Sequence, residues 1–505
     1  MECRGVRGSI LIWLGLGLGL RLILLFQPPV EDNSWIRQTQ TADAIQSWMN
    51  AGKPSWDAGA SWRGDTGARL AQELPLYNLL VYLGARAGVS LNVAGRLTSD
   101  LLWGAGFLLL QAIWRRWLNE RETFWANLLF VFSPISIAFG QAIMPEMLVQ
   151  LLGLGLILLL LRYVRQPSLI GWWSLVVVGA LGALIKLPVF TPYYLILGAI
   201  LFFHDRWKVF LQPRIWAGGI FTLAALVLWS RYTQSVNSEF FPGWTASANL
   251  QGFLGRWEDR LEPVYWVRLF FYLFVLVGTP AAWLAVFMTG TSGTRAWLKL
   301  PLLAPWLAGL GMMILLWGPR TCMGHAYYCL PFLVPVCAWF GKAAESLLAK
   351  EKRRAWATSI LGLALLAGCL PMAAYLLRPD PVLRETTEWM KKNIPASDLV
   401  IIKANHSPYT REYPELPGFS YLSGRRTWVW TRFLNSQEKK RALETSNWIV
   451  ETISPSSAPW WEGLRRKIKG HERPVEPIGD LLLRAKPAPL METPKFRVFR
   501  IDPGK

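Results

Sequence analysis

Four stretches of this sequence carry residue types that could do chemistry. The first is Pro28–Thr41, PPVEDNSWIRQTQT, where the adjacent carboxylates Glu31 and Asp32 are followed by Arg37 and Gln38. A positioned carboxylate can take a proton from a hydroxyl or amine as it attacks, which is general-base chemistry. The second is Gln141–Glu146, QAIMPE, in which Glu146 joins two apolar runs. A second acid there could share the work, orienting an acceptor or binding a metal. The third is Lys186 in LIKLPVFTP, a point charge suited to an anionic phosphate. The fourth is Gly318–Pro331, GPRTCMGHAYYCLP, which offers Arg320, His325, Tyr327 and Tyr328. The segment 232–264 adds Arg256 and Arg260. Fixed cations and hydrogen-bond donors of this kind suit a phosphate leaving group.

Each stretch also has a plain structural reading. Asp32 or Asn33 can cap a helix beginning near Trp35. Pro145 opens a helix comfortably, and Glu146 in its first turn suits the helix dipole. Lys186 can snorkel from the end of an apolar run, and interface tyrosines are common. An ionised group in an otherwise apolar hairpin nonetheless needs a partner, which makes Glu146 and Lys186 functional candidates.

The elements that must position these residues are membrane spans. The chain has 505 residues, is 52% hydrophobic and contains 29 Trp. Apolar runs of roughly 16–22 residues recur, the length that crosses a bilayer. They lie at 8–26, 93–113, 124–140, 143–161, 169–186, 188–203, 214–231, 265–288, 300–317, 323–341 and 357–377, about eleven in all by that criterion. The first is too long for a signal-peptide core, and no small-residue cleavage site precedes Glu31, so it reads as an uncleaved span. Arg21 lies inside it, snorkelling or paired within the bundle, or facing a polar cavity.

The net charge of +20 belongs to this topology rather than to nucleic acid, which is not expected as a partner. Arg115, Arg116 and Arg121, then Arg162 and Arg165, Arg206 and Lys208, Arg295 and Lys299, and Lys350, Lys352, Arg353 and Arg354 fall on alternate loops. Short loops of the opposite parity are nearly free of basic residues, Arg320 excepted. That asymmetry predicts a cytoplasmic N-terminus. It places the Glu31–Asp32 loop, the 140–146 turn, the 232–264 loop and the 318–325 turn on the outer face. The five Cys show no metal spacing and no disulfide framework, so they read as packing residues.

The polar segment 28–92 reads as a first outer loop. Ile36–Met49 and Arg69–Ala87 look amphipathic, with Trp35, Trp48, Trp56 and Trp62 at headgroup level. After Arg378 the composition turns soluble. Leu383–Asn393 has helical spacing. Asp398–Lys403, Thr427–Trp430, Trp448–Ile453, Leu481–Arg484 and Arg497–Ile501 read as short strands, with helical stretches near 436–446 and 460–469. The expected fold is therefore an α-helical polytopic membrane domain, 1–378, followed by a small extracytoplasmic α/β domain, 379–505.

At this point the sequence resembles the protein-O-mannosyltransferase-like family of GT-C glycosyltransferases, which includes the bacterial lipid A aminoarabinose transferases. The residues that carry it are Glu31-Asp32 followed by WIRQTQTA, MPE at 144–146, LIKLP at 184–188 and HAYYCLP at 325–331. They lie in the membrane portion, about three quarters of the chain. The resemblance implies a polyprenyl-phosphate sugar donor and transfer on the extracytoplasmic side to a lipid, protein or glycan acceptor. It implies a first-loop acid as catalytic base (Asp32, or its neighbour Glu31), Glu146 as the second acid, and Lys186 as a ligand of the donor phosphate. The family order is Asp-Glu, and this sequence has Glu-Asp. Arg37, Arg256 and Arg320 are further candidates for the phosphate, and Gln38, His325, Tyr327 and Tyr328 for substrate. No cofactor is required by these residues. A divalent metal stays open, because related GT-C enzymes with diphosphate donors use one. The rival readings are a flippase or transporter, which would show midplane broken helices and an internal repeat, and an O-antigen-ligase-like oligosaccharide transferase.

Overall fold

Apolar helices dominate the computed structural model, as the hydropathy requires. It describes residues 2–31, 34–241, 254–255, 257–289, 303–316, 325–349, 354–404, 417–431, 434–453 and 489–501. Two compact units emerge: residues 1–27 with 71–377, and residues 28–70 with 378–505.

The first unit is the helical one. Its early elements are α1 (Glu2–Arg21), α3 (Leu76–Arg86), α4 (Leu91–Trp114), α5 (Glu120–Phe132), α6 (Pro134–Gly140), α7 (Glu146–Arg165), α8 (Leu169–Asp205) and α9 (Pro213–Asn237). The helices Pro263–Phe271, Pro280–Met288, Leu303–Leu316, Leu333–Leu348 and Arg354–Leu377 follow. Among the described residues, five helices are long and apolar enough to cross a membrane, or up to seven if each bent pair is one span. The eleven separate spans read from the sequence are not recovered as such. The apolar stretches Ile10–Leu24 and Ala304–Leu316 are shorter than a span, and the region 323–341 opens with a 3-10 turn, Ala326–Phe332.

The runs 169–186 and 188–203 form one helical element, α8, broken at Lys186 (φ −161°, ψ 82°). Unbroken, its 37 residues would span about 55 Å, well beyond a hydrocarbon core of about 30 Å. The break has a local cause. Pro188 has no N–H to give the carbonyl four residues back, and it disfavours helical backbone just before it. The carbonyl so released, that of Leu184, accepts instead from the backbone N–H of Leu74 at 2.9 Å.

The bundle also buries polar anchors. Arg21 pairs within it: its guanidinium donates to the Gly17 carbonyl and to the carbonyl and hydroxyl oxygens of Ser136, each at 2.8 Å. It lies 3.6 Å over the Trp103 ring, whose Nε1 donates to the same Ser136 hydroxyl at 3.0 Å. That ties α1, α4 and α6 together.

The second unit is built on a five-stranded sheet. Its strands are β3 (Val400–Lys403), β4 (Thr427–Val429), β5 (Trp448–Thr452), β6 (Met491–Glu492) and β7 (Phe496–Arg500), in the order β4-β3-β5-β7-β6. The β3–β4 and β3–β5 pairs are parallel, with Ile401 opposite Trp428 and Ile449; β5–β7 and β6–β7 are antiparallel. Helices Pro417–Ser423 and Ser436–Thr445 follow β3 and β4, giving the alternation that parallel pairing needs. Asp380 caps helix Pro381–Asn393 through the amides of Val382 and Leu383 at 2.9 Å. The expected strand 481–484 and helix 460–469 lie outside the described residues.

Residues 28–70 belong to this second unit. They supply α2 (Trp35–Ala51) and the small hairpin β1 (Ala58–Gly59) and β2 (Arg69–Leu70). The backbone of Ser61 accepts from Thr427, and Gly64 donates to Thr427, so the loop closes the free edge of β4. Gly64 sits at φ +59° with the Trp428 indole where a side chain would go, so only glycine fits. Trp48 and Trp62 are buried in this packing rather than presented at headgroup level, and only Trp56 of the three is exposed. The reason is that α2 is not an isolated interfacial helix: it buries Gln38, Thr39, Gln40 and Asp43 along with Ile45.

Candidate functional site

Glu146 stands at the first turn of α7, after the tight turn of Gln141–Pro145. That turn is pinned from two sides. Ser99 of α4 donates its hydroxyl to the Ala142 carbonyl, and Tyr77 of α3 hydrogen-bonds Ser99 at 2.8 Å and the Gly95 carbonyl at 3.0 Å. The start of α3 and the start of α7 are thereby held to the same stretch of α4.

Lys186 meets Glu146 across 40 residues of sequence. The ammonium donates to Glu146 Oε1 in a close ion pair, with side-chain exposures of 5% and 1%. Its partner at the open side is Glu73, whose Oε1 is 3.5 Å from Lys186 Nζ and whose side chain is 26% exposed. Leu74, beside Glu73, is the residue whose N–H occupies the carbonyl that Pro188 sets free. The helix break therefore does two things. It lets Lys186 leave the helical row, and it anchors the chain segment that carries the second acid.

Tyr327 completes the site. The ammonium lies 4.7 Å from its ring centroid, a cation–π distance. His325 stacks on Tyr328 at 5.2 Å and meets Tyr327 edge-on at 5.3 Å. These aromatics sit on the 3-10 turn Ala326–Phe332, which contains Pro331. Among the described residues, Glu146 Oε2 is buried with no hydrogen-bond partner. A buried ion pair with one partly exposed flank can offer its ammonium to an anionic group.

The structure thus joins Glu146, Lys186 and Tyr327, with His325 and Tyr328 packed beside Tyr327. The first-loop residues belong to the second unit. Glu31 is buried and accepts from Gln38 Nε2 at 2.8 Å, while Gln38 also donates to the Ser34 hydroxyl at 2.7 Å. Arg37 donates to Gln40 in a close contact. Asp32, Arg256 and Arg320 lie outside the described residues. Glu73 was not legible as a site residue from sequence. Its signal was faint: an acid two residues before a proline that opens a helix. Among the described residues, no group of three or more His, Cys, Asp or Glu side chains could hold a metal ion. Cys329, Cys337 and Cys369 are buried and form no disulfide among the described residues.

No protein-family model matches the chain, and no curated protein sequence matches it. Solved structures do. ArnT from Cupriavidus metallidurans bound to undecaprenyl phosphate is similar with a TM-score of 0.61 and 11% identity, over 98% of both chains. The archaeal oligosaccharyltransferase AglB from Archaeoglobus fulgidus, in complex with an inhibitory peptide and a dolichol-phosphate, is similar at 0.52 and 13%, over 89% of this chain and 70% of that one. The Archaeoglobus fulgidus oligosaccharyltransferase complex with Zn and sulfate gives 0.52 and 13%, over 88% and 68%. The chain has the GT-C fold of these membrane enzymes.

Proposed function

We propose that this protein is a membrane glycosyltransferase that moves a sugar from a polyprenyl-phosphate donor to an acceptor on the extracytoplasmic face. The observation that carries the reading is Lys186: a buried ammonium at a helix break, flanked by Glu146 and by the half-open Glu73. It stands in a chain with the fold of a transferase solved with undecaprenyl phosphate. The basic-loop asymmetry supports a cytoplasmic N-terminus and an outward-facing second unit.

Lys186 binds the phosphate of the donor. As the sugar–oxygen bond breaks, negative charge builds on that phosphate, and a fixed cation in a dry site stabilises it without reorganising. Glu146 holds the ammonium in place. Arg37, Arg256 and Arg320 are further candidates for the same phosphate. Asp32, with Glu31 as its neighbour, takes the proton from the acceptor hydroxyl or amine as it attacks the anomeric carbon. Gln38 holds the first-loop acid, and His325, Tyr327 and Tyr328 line the sugar or phosphate. No step is routed through a metal ion, and transfer in the presence of a chelator checks that.

The test is transfer of radiolabelled hexose or pentose from polyprenyl-phosphate donors to membrane extracts. The intact protein is compared with Asp32→Asn, Glu31→Gln and Glu146→Gln. Loss in Asp32→Asn with donor binding retained supports the base. Loss in Glu31→Gln alone moves the role by one residue. Full activity in all three sinks the assignment.

A further inference from the structure

We propose that Glu73 is a displaceable counter-ion: it occupies the open side of Lys186 until an anionic phosphate takes its place. The inference rests on the reading of Lys186 as a phosphate ligand and adds a residue that neither the motifs nor the resemblance supplied. Three observations carry it. The two carboxylates on Lys186 are unequal. Glu146 is sealed in, within ion-pair contact, whereas Glu73 is 3.5 Å away and partly open to solvent. The ammonium is already flanked by the Glu146 carboxylate and the ring face of Tyr327, and of its two acidic partners Glu73 is the one with a partly exposed side chain. And charge opposes a ternary arrangement. One ammonium with two carboxylates is already net negative, and a phosphate added beside both would meet like charge at short range.

Glu73 is also built to move while its neighbour is not. The Leu74 N–H is committed to the Leu184 carbonyl at 2.9 Å, and Leu76 N–H bonds the Leu74 carbonyl at 2.8 Å. The backbone is thus fixed on the C-terminal side of Glu73, and displacement is a side-chain rotation that exchanges its present contacts for the solvent it already touches. Without a donor, Glu73 pairs with Lys186. With one, the carboxylate leaves and the phosphate inherits the ammonium. Glu73 is a positioning residue, setting donor affinity and the order in which the site fills.

The experiment measures binding of undecaprenyl phosphate to the purified full chain in detergent, with inorganic phosphate as a second probe. The variants are Glu73→Gln and the charge-neutral pair Glu146→Gln/Lys186→Met. Glu73→Gln is expected to bind undecaprenyl phosphate about tenfold tighter or more, the effect of one removed like charge at this range after solvent screening. A parallel gain for inorganic phosphate places the effect on the phosphate; a gain for the lipid alone would refute a purely electrostatic displacement. Unchanged or weaker binding in Glu73→Gln, with binding lost in the double variant, overturns the role of Glu73 and leaves the phosphate site standing. Undiminished binding in the double variant overturns the phosphate site itself.

Discussion

Replacing Lys186 by Met should expose how much the fold depends on this ion pair. Glu146 is 1% exposed and its partner 5% exposed, so neither charge can be rehydrated in place. Removing one partner of a buried pair leaves an uncompensated charge and costs about 3–5 kcal/mol. Glu146→Gln should cost less, about 1–3 kcal/mol, because Lys186 keeps Glu73 and the Tyr327 ring. The double variant Glu146→Gln/Lys186→Met removes both charges at similar volume and should sit within about 2 kcal/mol of the parent. Taking about 4 and about 2 kcal/mol for the single variants and about 2 at most for the double, the coupling between the two sites comes to about 4 kcal/mol, roughly a thousandfold in the unfolding constant. Equilibrium unfolding of the three variants in mixed micelles measures it. A coupling under about 0.5 kcal/mol, the additivity expected of independent sites, would refute a shared dry pair. The double variant also separates stability from chemistry: it should fold yet transfer no sugar, and retained transfer would remove Lys186 from the reaction.

Other outcomes follow from the same geometry. Asp43 is buried on α2 beside Ser61, and burial pushes its carboxyl up to about 7 although Ser61 hydrogen bonds oppose the shift. Because the unfolded chain releases this proton first, stability of the second unit should fall as pH rises from about 4 to about 7 and be flat above, by at most about 4 kcal/mol. Asp43→Asn should flatten that slope in thermal unfolding, and parallel curves would count against the buried acid. Gly64→Ala should destabilise the second unit by about 2–4 kcal/mol, since it adds both a left-handed backbone penalty and a collision with Trp428. Limited proteolysis of that unit would show it, and unchanged resistance would contradict the edge closure of β4. Pro188→Ala restores an N–H able to reclaim the Leu184 carbonyl from Leu74. Donor affinity should then change several-fold with little change in melting temperature; unaltered affinity would mean the break does not position Glu73.

The sequence alone determined the elements and the chemically charged positions within them. Apolar run length marks most of the spans, and the run boundary at Lys186 coincides with the observed break because Pro188 acts locally. Strands β3, β4, β5 and β7 were legible for the same reason: their β-branched and aromatic runs are bounded by turn residues. The acids and cations were legible as oddities in apolar surroundings. Which of them meet was not. Glu146 and Lys186 are joined over 40 residues and Glu73 is brought in from another loop, by α4 holding α3 and α7 and by a backbone bond between Leu74 and Leu184. No periodicity encodes such long-range pairing. Nor could periodicity show that Pro28–Leu70 belongs with the C-terminal sheet. Its buried glutamines and Asp43 look like a solvated helix face until α2 packs on the helix Pro417–Ser423 and Ser61 bonds Asp43. A polar side chain is buried only when a partner is supplied, and only the tertiary structure decides where that partner comes from.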